Sequence, residues 1–131
     1  MPSHTRTPKL MSIDFRRLVT QPDLNSHGTL HGGILMKWSD ECAGMHARKS
    51  TGFLCVTRYI DKINFVSTAR IGTILRITSI IESIGNSSLT FRIAVRNDLT
   101  NNVIATIDKL VFVCVDGTHK PINHGLKLDD D

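Results

Sequence analysis

A single helical stretch followed only by β-rich runs is the feature of this sequence that most narrows its folds. From Ile34 to about Lys49, apolar residues recur at three- and four-residue steps, with Ile34, Leu35, Trp38, Cys42 and Met45 on one face. Ser50-Thr51-Gly52 closes that helix. Before it, Phe15 to Val19 is a short strand candidate, stopped by Gln21-Pro22-Asp23. After it come Cys55 to Val66, Thr73 to Ile84, Ser87 to Arg96 and Val103 to Val115, all rich in strand-forming residues. The turn signals Ile71-Gly72, Gly85-Asn86 and Asn97 to Asn102 separate them. Alternation breaks at Asp61-Lys62-Ile63, where a bulge or bend is expected. The order predicts one strand, a long helix and a four-strand meander. Such a meander makes a curved antiparallel sheet with one face to cover, and a helix of about four turns covers it. The expected class is therefore α+β, with about five strands wrapped around one long central helix. Residues 1–12 read as a mobile arm, 13–116 as the domain and 117–131 as a tail.

The chain has 131 residues, 40% hydrophobic and 21% charged, which fits one globular domain of ordinary soluble composition. A core this small often gains stability from copies of itself. The net charge is +4, although Asp129, Asp130 and Asp131 mask part of a larger basic surplus. That surplus suits an anionic partner. Aromatics are only 5% and Trp38 is the single tryptophan, so no stacking platform for nucleic acid is present. No apolar run approaches the ~20 residues that cross a bilayer, and Met1 to Lys9 lacks the apolar centre of a signal peptide. A cytoplasmic protein without membrane or nucleic-acid partners is expected. Cys42, Cys55 and Cys114 are odd in number and form no CxxC pair, which predicts buried, reduced thiols.

Chemistry concentrates in Asp23-Leu24-Asn25-Ser26-His27-Gly28-Thr29-Leu30-His31-Gly32-Gly33 and in Asp40. Glycines let backbone N–H groups approach a ligand closely, and a helix beginning there aims its positive end at developing negative charge. On the helix, Lys37, Glu41 and Arg48 form the solvent face. Asp40 falls elsewhere, on a stripe with Met36, Ala43, Gly44 and Ala47. Small residues in a row imply close packing, so Asp40 is expected to meet a partner chain or a ligand. The plainer alternative is a loop cap or an ion pair. Asn25 can donate and accept at once, or simply build an Asx turn. His27 and His31 lack a third ligand, so no metal site is expected.

Taken together, these residues resemble the hot-dog fold acyl-CoA thioesterases, in particular the short YciA-type branch. The match rests on Asp23-x-Asn25-x-x-Gly28-x-x-x-Gly32-Gly33, then Met36-Lys37-Trp38-x-Asp40 with Ala43 and Ala47. It continues through Val56-Thr57, Asp61-x-Ile63-x-Phe65, Gly72 and Gly85-Asn86-Ser87-Ser88, covering about residues 10 to 116. The resemblance implies edge-to-edge homodimers that assemble into a trimer of dimers, with active sites at the dimer interface. It implies Asp40 as general base or nucleophile, Asn25 from the other subunit positioning water or the carbonyl, and the Gly33 N–H as donor to the thioester oxygen. Coenzyme A is then part of substrate and product, and no further cofactor is required. Gly32 and the Asn86-Ser87-Ser88 turn would lie near the coenzyme, with Arg58 and Lys62 as candidate phosphate contacts. Val66-Ser67-Thr68-Ala69-Arg70 lacks the proline usual in that family, and Thr73 stands after Gly72 where an acidic residue is common. A non-catalytic acyl-CoA binding module and an acyl-thioester hydratase or dehydratase are the alternatives on the same fold.

Overall fold

Alternation in the β-rich runs becomes register in the computed structural model, which describes residues 6–128. The elements are β1 (Ser12–Leu18), a short 3-10 turn (Gln21–Asp23), α1 (Gly32–Thr51), β2 (Leu54–Phe65), β3 (Ile74–Ile84), β4 (Ser88–Asn97) and β5 (Val103–Val115). The five strands form one antiparallel sheet in the order β1-β3-β4-β5-β2. β3, β4 and β5 are the expected meander. β2 is not its first strand: it pairs with β5 at the far edge. The cause is α1, which leaves β1 at one edge and crosses the sheet before the chain can form β2.

The inward positions of β3 and β4 alternate as period-two strands must, with Leu75, Ile77, Leu89, Phe91, Ile93 and Val95 fully buried. α1 supplies the other half of the core through Leu35, Trp38, Cys42, Ala43 and Ala47. Two expectations for this helix change. Ala43 and Ala47 are fully buried against the chain's own sheet and do not await a partner. Met45 is 40% exposed, and the buried side chain beside it is His46. The small residues let the helix lie close to the sheet, which moves the core stripe around the helix toward them. Asp40 and Gly44 border that stripe, both half-buried.

The ends of α1 are defined by local chemistry. Gly52 stops it in the left-handed region, at φ 78°, with its N–H donating to the Arg48 carbonyl. Arg48 and Lys49 in the last turn complement the helix dipole. Along β2, Lys62 has φ 56°, which gives the expected break there, and a register shift lies between Thr57 and Tyr59. The arm and tail meet each other: the Arg6 N–H donates to the Gly125 carbonyl, and the Lys127 N–H donates to the Arg6 carbonyl. Residues 1–5 and 129–131 of those segments lie outside the described residues. Among the described residues, no helix is long and apolar enough to cross a membrane.

Candidate active site

A groove of about 780 Å³ runs between α1 and β2. Met45, Cys55, Val56 and Phe112 give it apolar walls, and Asp40 and Thr57 stand in it. β2 points Thr57 at the helix, where its Oγ1 donates to Asp40 Oδ1 at 2.6 Å. Asp40 is paired with no lysine or arginine among the described residues, and its second oxygen has no protein partner there. One carboxylate oxygen is thus fixed by a hydroxyl while the other faces the groove. Neighbouring Glu41 is exposed and lies 3.7 Å from Arg17, a side chain that also stacks over Phe15 and Trp38.

Asn25 lies in the loop before α1 and lines a second, smaller cavity with Gly32, Phe65 and Ala69. Its Oδ1 accepts from the His27 N–H, the Thr29 N–H and Thr29 Oγ1. Nδ2 donates to Thr29 Oγ1 at 3.1 Å. Asn25 therefore builds an Asx turn, and one of its amide hydrogens has no partner among the described residues. A Cβ on Gly32 would approach the Phe65 ring to 3.3 Å, a tight contact that the exposed ring would have to relieve by a few tenths of an ångström. The Gly33 N–H donates to His31 Nδ1 at 2.9 Å, capping the helix. A thioester oxygen taking that N–H would replace the imidazole.

The site residues therefore occupy separate places in one chain. Asp40 and Gly33 lie seven residues apart on α1, about 10 Å at ~1.5 Å per residue. Arg58 and Lys62 are exposed on β2. Asn86 lines a polar cavity beside Arg6, Phe53 and His124. The Ser87 carbonyl accepts from the Cys114 N–H, and the Ser88 carbonyl is 3.0 Å from His124 Nε2. Thr57 was not among the expected site residues, although Val56-Thr57 carried part of the resemblance. Its one signal in the sequence is a hydroxyl two residues beyond Cys55, on the same face of β2.

A five-stranded antiparallel sheet packed on one long helix is the architecture of the hot-dog class. A model of the Thioesterase superfamily matches residues 27–103, and the chain belongs to that family. It is 40% identical over 72 residues to the acetyl-coenzyme A thioesterase of Rattus norvegicus, covering 55% of this chain and 13% of that protein. It is 35% identical over 81 residues to the cytosolic acyl coenzyme A thioester hydrolase of Homo sapiens, covering 62% of this chain and 21% of the relative. The chain thus spans a small fraction of the length of these relatives. The acyl-CoA hydrolase of Staphylococcus aureus, in complex with butyryl coenzyme A, coenzyme A and coenzyme A disulfide, superimposes with a TM-score of 0.80 at 30% identity. That match covers 97% of this chain and 77% of the other. An apo-hexameric acyl-CoA thioesterase gives a TM-score of 0.81 at 29% identity, covering 91% and 78%. Structures of the Staphylococcus aureus hydrolase include alanine mutants at one asparagine, one aspartate and one threonine. Those three positions are separated by fifteen and seventeen residues, the same intervals that separate Asn25, Asp40 and Thr57.

Proposed function

We propose that this protein hydrolyses the thioester of an acyl-CoA to the free acid and coenzyme A. The observation that carries the reading is Asp40 in the α1–β2 groove, held on one oxygen by Thr57 and free on the other. A thioester carbonyl is already electrophilic, so a placed carboxylate, an attacking oxygen and oxyanion donors suffice. Asp40 is the general base or the nucleophile toward that carbonyl. The donors to its oxygen are the Gly33 N–H and the free amide hydrogen of Asn25. Collapse of the tetrahedral adduct expels the coenzyme A thiolate.

These groups come from two chains. About 10 Å of helix separates Gly33 from Asp40, whereas groups acting on one carbonyl must sit within roughly 3–3.5 Å of the reacting atoms. The donors for one Asp40 therefore belong to the Asn25 and Gly33 of a second copy. β2 suits that pairing: it is a sheet edge of twelve residues with Leu54, Tyr59 and Phe65 exposed. Such dimers would assemble further into a trimer of dimers, in the cytoplasm. Arg58, Lys62 and the Asn86-Ser87-Ser88 turn are the proposed coenzyme contacts.

Thiol release from a ladder of acyl-CoAs tests the assignment. Asp40→Asn is expected to fold normally and lose about 10²-fold or more of its turnover, the scale of a general base. Glu41→Gln is expected to match the parent. Ordinary turnover by Asp40→Asn would remove the assignment, and coenzyme A binding with no turnover by the parent would make the protein a binding module.

A further inference from the structure

Cys55 and Cys114 sit directly opposite each other in the β2–β5 ladder, with their sulfurs 3.2 Å apart and unbonded. Both backbone groups of Cys114 face away from β2: its N–H donates to the Ser87 carbonyl, and its carbonyl accepts from the Ile122 N–H. The two cysteines are therefore a non-hydrogen-bonded pair, the type whose Cα atoms approach to about 4.5 Å. A disulfide spans Cα separations of ~4.4–6.8 Å, so this one needs little backbone movement. The two thiols differ in access. Cys55 is half-buried and lines the groove, whereas Cys114 is fully buried behind it. A hydrogen bond from the Cys114 thiol favours the Cys55 thiolate and, although burial opposes it, Cys55 is pulled down to about 7. Cys42 is sealed in the core, where burial pushes its thiol up to about 12.

We propose that Cys55 and Cys114 are a reversible redox pair, which a small-molecule disulfide entering the groove converts into a cross-strand disulfide. Arg48 and Lys49 on the groove favour the disulfide of an anionic thiol. The Cys55 thiolate attacks one sulfur of that reagent. The reagent's S–S bond breaks, and one thiol departs with the electron pair and takes a proton. Cys114 then gives up its proton and attacks Cys55 Sγ, releasing the second thiol. Two protein thiols are oxidised and one disulfide is reduced to two thiols. Bond formation closes the sulfurs from 3.2 Å to about 2.05 Å and turns the Cys55 side chain in the groove wall, two residues from Thr57, an ångström-scale shift beside the hydroxyl that holds Asp40.

The test exposes the reduced 131-residue chain to glutathione disulfide, traps the remaining thiols by alkylation and reads mass. The parent is expected to lose two hydrogens, to give a peptide joining Cys55 to Cys114, and to recover with dithiothreitol. Cys114→Ser is expected to stop with one glutathione on Cys55, and Cys42→Ser to behave as the parent. A parent that stays unmodified, or that keeps glutathione on Cys55 without cross-linking, overturns the proposal. This mass readout stands apart from the hydrolase reading. In a preparation that turns over acyl-CoA, the oxidised form is expected to lose roughly tenfold or more, because ångström-scale misplacement of positioning groups costs up to ~10²-fold. Unchanged turnover in the oxidised form would overturn the link between the pair and the site.

Discussion

On the proposed mechanism, the hydroxyl of Thr57 decides whether the Asp40 carboxylate is useful. Without it, Asp40 would keep its place on α1 but lose the hydrogen bond that sets its rotamer. Hydrogen bonds to charged groups are worth ~1.5–3 kcal/mol, so Thr57→Val is expected to lower kcat about tenfold to a hundredfold. Thr57→Ser keeps the donor and should recover most of that loss. Steady-state kinetics on both variants check this, with thermal melts to show that each is folded. Asp40 was legible in the sequence because a carboxylate off the charged face of an apolar helix has few plain explanations. Thr57 was not, because a threonine is an ordinary strand residue until something is placed opposite it. Asn25 lay between these cases, since the same amide that builds the Asx turn keeps a hydrogen to offer.

At the level of elements, the displaced helix stripe takes in one buried imidazole. His46 joins three parts of the chain: its Nε2 lies 2.7 Å from the Leu10 carbonyl and its Nδ1 lies 2.9 Å from Ser79 Oγ on β3. It also packs its ring 5.1 Å from that of Phe91. An apolar periodicity scan ranks Met45 above a histidine, yet a neutral imidazole with both nitrogens satisfied is a good core residue. Burial lowers the His46 pKa below its ordinary 6.5, against a smaller opposing effect of the bond to Leu10. The unfolded chain then binds a proton more readily than the folded one. Stability is fully present above the unfolded value of 6.5 and falls as pH drops through and below it. Urea unfolding between pH 5 and 8 should show that fall, with a slope from this one group of at most about 1.4 kcal/mol per pH unit. His46→Gln, which keeps a donor and an acceptor, should lose that part of the slope. The strands themselves were readable from alternation and turn residues. The place of β2 was not, because periodicity records which face is buried and says nothing about which neighbour a strand takes after a helix has crossed the sheet.

For the whole molecule, the decisive length is the helix between Gly33 and Asp40. Two turns of α-helix are rigid, and no side-chain rotation closes about 10 Å. If one thioester needs both an oxyanion donor at the start of α1 and the acid in its middle, each active site takes one group from each of two copies. A dimer then has two sites, each pairing the Asp40 of one chain with the Asn25 and Gly33 of the other. Asp40→Asn alone disables both sites of its homodimer, and Asn25→Ala disables both of its own. In a mixed dimer of the two variants, both lesions fall in one site and the other is wholly native. Mixing the two separately inactive proteins, after unfolding and refolding together, should therefore restore turnover that neither has alone. If each chain carried a complete site, no mixed dimer would contain a native one, and the mixture would remain as inactive as its parts. Thiol release from the same acyl-CoA before and after mixing, with size measured to verify exchange of chains, separates the two arrangements.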